Sequence, residues 1–317
     1  MRYLLNNSTD PYYNMALDEF CLENIVSDEP YFYLWRNRPS VIIGLNQNAY
    51  SEVNLDYLKA NGILLARRVT GGGAVYHDLQ NLNYTIIGPT PSPQPMVDAL
   101  RGLGVPAELT GRNDIFVGGR KVSGYARRVS KRQEIIHGTL MYDVDIDTLT
   151  HVLDVPGSKM QAKGIGSVRS RVANLKEYLP GFPTLDSLQT TLQQILSNGD
   201  VLIELTEDQL SEVEMMAREK FSTWDFIYGR SRQTGFVRKA KLPCGTVEAN
   251  VTLDRGLITD ISFSGDFMFD HPVEELASSL VDCRFERSAI SQALDGADVS
   301  RYFHGSDAED VLNLFFS

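Results

Sequence analysis

Several predicted strands of this chain follow one another with only a turn between them, while helices separate the others. Segments rich in β-branched and aromatic residues predict the strands. They are residues 31–35, 41–43, 64–67, 74–77, 82–87, 115–117, 121–127 and 135–144. Apolar residues at helical spacing predict helices over 11–26, 55–60, 96–103 and 185–196. A doubly wound parallel sheet would place a helix after almost every strand, so this order indicates an α+β fold with a mixed or antiparallel sheet.

The last third of the chain carries a separate set of predicted elements. A charged amphipathic helix is predicted over 207–221, and the polar stretch 230–235 that follows lacks any periodicity. Three strands (236–240, 245–253 and 257–264) and two helices (272–280 and 287–294) are then predicted. A length of 317 residues suits about two domains. We therefore expect one domain over 1–229 and a small α+β domain over 236–317.

Composition excludes several functional classes. The chain carries 41 acidic and 30 basic side chains, a formal net charge of −11. Nucleic-acid binding generally needs a positive surface that displaces counterions, so we expect no nucleic-acid partner. Three cysteines, Cys21, Cys244 and Cys283, form no disulfide framework. With no apolar run near the roughly 20 residues that span a bilayer, and no signal-peptide core, we expect a cytoplasmic monomer without membrane contact.

Three consecutive glycines, residues 71–73, stand between two predicted strands and are called the glycine motif below. Glycine lets backbone N–H groups approach a ligand closely. The preceding Arg67 and Arg68 add positive charge that suits phosphate. The segment is neither a Walker A motif nor a GxGxxG pattern. Taken by itself, it fits a tight hairpin with an exposed arginine pair equally well.

A basic cluster over 112–132 contrasts with the acidic chain around it. It holds seven basic residues and one acidic residue, Asp114, and the next acidic residue, Glu134, follows just after it. A basic run is usually a solvated face, but glycines on both sides of Arg120 and Lys121 favour one of these two pointing into a pocket. Asp114 could hold Mg²⁺ on a nucleotide or could simply stabilise a turn.

Two further segments are unspecific by themselves. His137 opens a predicted strand with Gly138 and Thr139, and we expect it to be a structural hydrogen-bonding residue more readily than a catalytic base. The polar, basic segment 164–175 contains two glycines and is predicted to be a loop.

Together these segments resemble lipoate–protein ligase A. They are Arg-Arg-x-x-Gly-Gly-Gly-Ala-Val-x-His-Asp, Gly-Arg-Asn-Asp, Gly-Arg-Lys-Val-Ser-Gly, His-Gly-Thr-Leu and Ser-Val-Arg-Ser-Arg-Val-x-Asn-Leu, in this order. The resemblance runs from about Arg2 to Tyr178. It continues more weakly through the segment at Trp224 into a part similar to the accessory domain of that family.

The resemblance implies an α+β catalytic domain like that of biotin–protein ligases. It implies that ATP activates lipoate to lipoyl-AMP, with Mg²⁺ as the metal. The lipoyl group would then pass to a lysine of acceptor lipoyl domains, in E2 subunits of 2-oxoacid dehydrogenases and in the glycine cleavage H protein.

The resemblance also implies a role for individual residues. Lys121 would be catalytic and would contact both lipoate and the adenylate. The ATP-binding residues would be Arg68, Gly73, Ala74, Val75, Tyr76, Asp114 and Lys121. The lipoate-binding residues would be Gly71, Gly72, His77, Lys121, Gly138 and Thr139. Asp114 is the first candidate for Mg²⁺ and Asp78 the second. Residues 46–48 would form a polar turn near the acyl entrance, and because a labile adenylate needs protection from water, residues 164–171 are a candidate lid.

Three other interpretations stay open. An octanoyl or lipoyl transferase that works through a cysteine thioester would need an activated thiol in the catalytic domain. Only Cys21 lies there, within a predicted amphipathic helix where an inert buried thiol is the default. A biotin ligase shares the fold but has a glycine motif of a Gly-Arg-Gly type. A non-catalytic acyl- or nucleotide-binding module would bind the same ligands without releasing pyrophosphate.

Overall fold

Three sheets organise the part of the chain that the computed structural model describes, residues 1–111, 113–153, 170–197, 202–231, 234–265, 267 and 270–316. The strands of the largest sheet are β1 (Arg2–Leu4), β2 (Tyr31–Trp35), β6 (Asn81–Gly88), β7 (Ala107–Thr110), β8 (Asp114–Val117), β9 (Arg120–Val129), β10 (Glu134–Met141) and β11 (Leu202–Ile203). Their order across the sheet is β11-β1-β2-β6-β10-β9-β8-β7. β1 pairs in parallel with β2 and β11, and the other pairs are antiparallel. The predicted α+β fold with a mixed sheet is confirmed.

A second, smaller sheet lies next to the first and carries the glycine motif. It consists of β3 (Ser40–Ile43), β4 (Leu64–Arg67) and β5 (Val75–His77). β3 pairs in parallel with β4 and antiparallel with β5, and the glycine motif is in the connection from β4 to β5.

Helix Pro11–Asn24 packs in the core that both sheets share. Asp10 caps its first turn, accepting hydrogen bonds from the N–H groups of Tyr12 (2.8 Å) and Tyr13 (3.3 Å), as the sequence predicts for a helix that starts at proline. Its buried face forms one core cluster with Trp35 of β2 and Ile42 of β3.

The large sheet is buried on both faces. Alternate residues of β2 point to opposite sides, so that Tyr31, Tyr33 and Trp35 join the core of helix Pro11–Asn24 while Phe32 and Leu34 join a second core. Helices Gln94–Gly102 and Leu185–Ser197 cover that second face. This explains why β2 appears in the sequence as a continuous apolar run rather than an alternating one.

The C-terminal part builds its own sheet and core. β12 (Thr234–Leu242), β13 (Gly245–Asp254) and β14 (Leu257–Gly265) form an antiparallel sheet. Helices Val273–Leu280 and Arg287–Leu294 pack on it as predicted. A third helix, Ala308–Phe316, was not predicted, although Val311 and Phe315 are spaced to bury one helical face.

Elements without a periodic apolar pattern were not predicted. These are β1, β7 and β11, and the short helices Ala49–Glu52 and Ile146–Val152. The predicted helix over 207–221 ends as an α-helix at Met216 and continues as a wider π-helical turn. Helix Trp224–Ile227 follows it.

Within the described ranges, the helices lack the combination of length and apolar character that crossing a bilayer requires.

Candidate functional site

A cavity of about 140 Å³ lies between the large sheet, the small sheet and helix Pro11–Asn24. Most of the predicted site residues line it: Arg68, Gly72, Gly73, Ala74, Val75, His77, Lys121, Gly138 and Thr139. Segments that are far apart in the sequence therefore meet in one place.

Arg68 fixes the shape of the glycine motif. Its guanidinium donates to the carbonyls of Gly71 (2.8 Å) and Gly73 (2.8 Å) within the motif and of Ile42 on β3 (2.9 Å). Only 6% of the residue is exposed, and burial lowers its pKa to about 10, so it stays charged at neutral pH. The interpretation as a hairpin with an exposed arginine pair is therefore wrong.

Arg67 points the opposite way, as neighbouring residues of a strand do. It is fully buried and donates to five backbone carbonyls, those of Gly44, Leu45, Gln47, Phe226 and Ile227. Burial, with a smaller contribution from Arg230, lowers the pKa of Arg67 to about 10. Its charge is satisfied within the protein, and of the two arginines only Arg68 lines the cavity.

The turn 44–47 supports the glycine motif from the other side. The N–H of Leu45 donates to the carbonyl of Thr70 at 2.8 Å. A Cβ on Gly44 would lie 2.2 Å from the carbonyl oxygen of Gly72, so only glycine permits this contact. Residues 46–48, predicted near the acyl entrance, thus lie next to the motif, where Asn48 caps helix Ala49–Glu52.

Lys121 forms an ion pair with Asp114, with 2.7 Å between Nζ and Oδ1. Its side chain is 38% exposed, so the ammonium can exchange this partner for a ligand. Gly124 leaves room for it, since a Cβ there would lie 2.8 Å from Nζ. Two residues predicted separately for the site thus lie together, and the lysine lines the cavity.

The backbone of Lys121 pairs with the last residue of the predicted lid and with the segment that follows it. Its N–H donates to the carbonyl of Arg171 (2.8 Å), and its carbonyl accepts from the N–H of Ala173 (2.9 Å). Residues 164–169 of that predicted lid lie outside the described residues, as does Arg112.

The two metal candidates lie in different surroundings. Asp114 is beside Lys121, whereas Asp78 accepts hydrogen bonds from the N–H groups of Gln80 (2.8 Å) and Asp145 (3.1 Å) and lines a separate groove. Burial raises the pKa of Asp78. The described residues include no group of three or more acidic, histidine or cysteine side chains arranged for a metal. A site made by the protein alone is therefore not present in this part of the chain.

His137 belongs to a buried network that the sequence did not reveal. Its Nδ1 lies 2.5 Å from a carboxylate oxygen of Asp18, and its Nε2 lies 2.7 Å from the hydroxyl of Thr70. Thr70 also accepts from Nε of Arg68 at 3.1 Å. Asp18 is 1% exposed and also accepts from Thr85 at 2.9 Å. A lone aspartate within the apolar helix was the available clue, since buried carboxylates need partners.

His77 is buried against the cavity in its neutral form. The residue is 3% exposed, and burial, Arg68 and His137 together lower its pKa to about 3. The side-chain nitrogen of Asn37 lies 3.0 Å from its Nδ1, and the ring of Trp35 packs edge-on at 6.0 Å between ring centres.

Three predicted residues contribute in other ways. Gly138 faces Tyr84, where a Cβ would lie 2.5 Å from the ring, so packing requires this glycine. Tyr76 is 6% exposed and joins the core beside the small sheet, while Gly71 is exposed at the start of the motif.

Cys21 is fully buried in helix Pro11–Asn24. Burial is the main cause that raises the pKa of its thiol, and the nearby Asp18 raises it further. A thiol in such surroundings stays protonated and inert.

Family comparisons agree with this arrangement. Residues 10–197 match the model of the lipoyl protein ligase A/B catalytic domain, and residues 231–315 match that of the bacterial lipoate protein ligase C-terminus. Lipoate-protein ligase LplJ of Bacillus subtilis is 38% identical over 324 residues, covering 98% of both chains. Lipoate–protein ligase 1 of Staphylococcus aureus is 38% identical over 327 residues, covering 99% of both.

Solved structures give the same result. The archaeal lipoylation system of Thermoplasma acidophilum, a bi-partite lipoate protein ligase and its E2 lipoyl domain, matches with a TM-score of 0.65 and 32% identity over 73% of this chain and 97% of that one. A lipoate-protein ligase A bound with ATP matches with a TM-score of 0.62 and 32% identity over 72% and 98%. Plasmodium falciparum LipL1 in complex with lipoate matches with a TM-score of 0.64 and 25% identity over 99% and 98%. With a catalytic-domain match over most of its length and 38% identity to whole ligases, this chain belongs to the lipoate–protein ligase family.

Proposed function

We propose that this enzyme activates lipoate with ATP and transfers the lipoyl group to a lysine of acceptor lipoyl domains. The observation that carries the proposal is the meeting of Lys121, the glycine motif held by Arg68, and an apolar cavity in one place. A cation beside an acyl-sized cavity suits a carboxylic acid, and exposed backbone N–H groups of a glycine motif suit phosphate. The acceptors that we propose are E2 subunits of 2-oxoacid dehydrogenases and the glycine cleavage H protein.

In the first step, the carboxylate of lipoate attacks the α-phosphate of ATP and pyrophosphate leaves. The reaction needs two anions to approach each other, so positioning and charge neutralisation supply most of the catalysis. Lys121 is suited to hold the carboxylate beside the phosphate once its ammonium leaves Asp114. Arg68 keeps the glycine motif in the shape in which its N–H groups can receive the phosphates.

In the second step, the lysine amine of the acceptor attacks the mixed anhydride, forming an amide and releasing AMP. Negative charge develops on the acyl oxygen, and Lys121 can stabilise it because an ammonium on a flexible chain can serve two oxygens in turn. The pKa of His77 is lowered to about 3, which makes it a weak base, and both ring nitrogens of His137 are engaged, by Asp18 and Thr70. Neither histidine is therefore assigned as a base.

Mg²⁺ would enter with ATP, because this ion binds through one or two carboxylates and the substrate phosphates. Asp114 fits such a role, since it lies next to the proposed carboxylate-binding lysine and is 27% exposed. The ion would neutralise phosphate charge as pyrophosphate departs. Asp78, which lines the separate groove, remains the second candidate for Mg²⁺.

The other parts of the proposal rest on the sequence. We propose a cytoplasmic monomer without nucleic-acid partners, and the net charge of −11 supports the last of these points. We also propose the division into residues 1–229 and 236–317, which is supported by the separate core of the C-terminal sheet and helices.

Replacing Cys21 with serine distinguishes ligation from thioester transfer. We expect the Cys21→Ser enzyme to keep ATP-dependent lipoylation within about twofold, because the thiol is buried and has no part in the proposed steps. Lipoylation of an acceptor domain, followed with and without ATP, measures this. Loss of activity in a variant with an unchanged melting temperature, or activity without ATP, would support the transferase instead.

A further inference from the structure

The cavity follows a row of neighbouring positions on the large sheet. Trp35 of β2 pairs with Asn83 of β6, which pairs with Thr139 of β10. Thr139 in turn accepts a hydrogen bond from the N–H of Gly124 on β9 at 3.2 Å. The row spans three strand spacings of roughly 4.8 Å, or about 14 Å.

The two ends of this row differ in chemistry. Lys121 lies at the Gly124 end, where the proposed function places the carboxylate of the acid. At the other end, Met15, Trp35 and Ile42 are apolar and no more than 2% exposed. An extended acid bound at Lys121 therefore directs its far end toward these side chains.

Arg68 and His137 also line the cavity, but other protein groups engage their side-chain nitrogens. One unpartnered polar group remains at the apolar end. Nε2 of His77 is buried, and the described residues supply no hydrogen-bond partner for it. Nδ2 of Asn83 is also unpartnered, but it lies midway along the row, beside the methylene chain that lipoate and octanoate share. Only His77 is therefore placed to distinguish the ends of these two acids.

A chain of buried asparagines determines which nitrogen of His77 carries the proton. The side-chain nitrogen of Asn14 faces the backbone carbonyls of Ser8 (3.1 Å) and Arg36 (3.0 Å), so it must be the amide donor. It also donates to the side-chain oxygen of Asn37 at 2.8 Å. The other end of the Asn37 amide is then its NH₂ group, and this faces Nδ1 of His77 at 3.0 Å.

The tautomer of His77 follows from this orientation. Since Asn37 donates, Nδ1 must accept and carries no hydrogen. A neutral imidazole then has its hydrogen on Nε2, which points a single N–H donor into the apolar end of the cavity. Asn6 extends the chain by donating to the oxygen of Asn14 at 2.8 Å, and all three asparagines are buried.

We propose that the Nε2–H of His77 recognises the dithiolane sulfur of lipoate and thereby favours lipoate over octanoate. This inference rests on the proposed function and deepens it. Divalent sulfur is a weak acceptor, but octanoate ends in a methyl group that accepts nothing and leaves the buried donor unpaired. Asn37 and Asn14 are positioning residues, since they act only by fixing the tautomer.

Nitrogen NMR of the unliganded wild-type enzyme tests the tautomer directly. With ¹⁵N-labelled histidine, we expect His77 to show a protonated Nε2 and an unprotonated Nδ1 at neutral pH, as the contact with Asn37 requires. The spectrum of His77→Gln assigns the signals. Adding lipoate should shift the Nε2–H resonance more than adding octanoate. A proton on Nδ1, or equal shifts with both acids, would overturn the proposal.

Substrate selectivity tests the consequence. We expect His77→Met to lower the ratio of kcat/KM for lipoate over octanoate about tenfold in pyrophosphate release, because the donor is lost. His77→Gln keeps an N–H near the same position and should restore most of the ratio. An equal loss with both acids, or an unchanged ratio, would overturn the sulfur contact. Wild-type enzyme that releases no pyrophosphate with either acid would instead contradict the proposed function, while the NMR result would still stand.

The asparagine chain can be tested in the same assay. Asn37→Leu should lower the lipoate preference in the same direction as His77→Met, because the tautomer is no longer fixed. Asn61→Leu is the matched control, since Asn61 is exposed at the end of helix Leu55–Ala60. A preference unchanged in a folded Asn37→Leu enzyme would refute the positioning role.

Discussion

Lys121→Ala should lower the rate of lipoyl-AMP formation by about 10²–10³-fold, the usual effect of removing one group that stabilises charge in the transition state. The same variant should also fail to use synthetic lipoyl-AMP, because Lys121 is proposed to act in both steps. Pyrophosphate release measures the first step, and transfer from lipoyl-AMP to a lipoyl domain measures the second. Near-normal adenylation by Lys121→Ala would refute the assignment.

Two controls separate the loss of the ammonium from its side effects. Lys239→Ala removes an equal charge from the C-terminal sheet, where Lys239 forms a 3.4 Å ion pair with Glu248 and is 64% exposed, and we expect no change in rate. Lys121→Arg keeps a positive charge beside Asp114 but not the compact ammonium. If an unpaired Asp114 carboxylate were the cause of the defect, this variant would keep normal activity.

Arg68→Met should reduce adenylation by about 10²-fold and spare transfer from synthetic lipoyl-AMP within about tenfold. The guanidinium holds three backbone carbonyls, and without it the glycine motif loses the shape proposed to receive the phosphates of ATP. Stability should fall as well, because the carbonyl of buried Ile42 loses its partner, at a cost of roughly 1–3 kcal/mol. Kinetics with each substrate and urea unfolding measure the two effects.

Arg218→Met is the matched control for Arg68→Met. Arg218 is 74% exposed beside Glu219, so its loss should change neither stability nor rate. Equal losses in adenylation and in transfer from lipoyl-AMP by Arg68→Met would show that the motif is not specific to the ATP step.

The overall fold was predictable because its main strands and helices carry a clear apolar pattern. β2 and the helix that begins at Pro11 are present where the sequence predicts them. β11 was not predictable, because a strand of two residues shows no periodicity and is defined only by its pairing with β1. The helix Ala308–Phe316 was not predicted, although its buried residues Val311, Leu312, Leu314 and Phe315 give a clear helical pattern.

The site was predictable only in part. Local motifs identified the glycine motif and the region of Lys121, and strand alternation explains why only one of two adjacent arginines reaches that motif. The hydrogen-bond partners of His77 and His137 come from residues far away in the sequence, such as Asn37 and Asp18. Such contacts arise from tertiary packing, so no local sequence pattern predicts them.

Incubation of the enzyme with an apo lipoyl domain, lipoate, ATP and Mg²⁺ tests the central claim most directly. Mass spectrometry of the lipoyl domain should show the addition of one lipoyl group at its acceptor lysine, with pyrophosphate released in equal amount, and neither product should form without ATP. A folded enzyme that binds lipoate and ATP but releases no pyrophosphate and leaves the mass of the domain unchanged would contradict it.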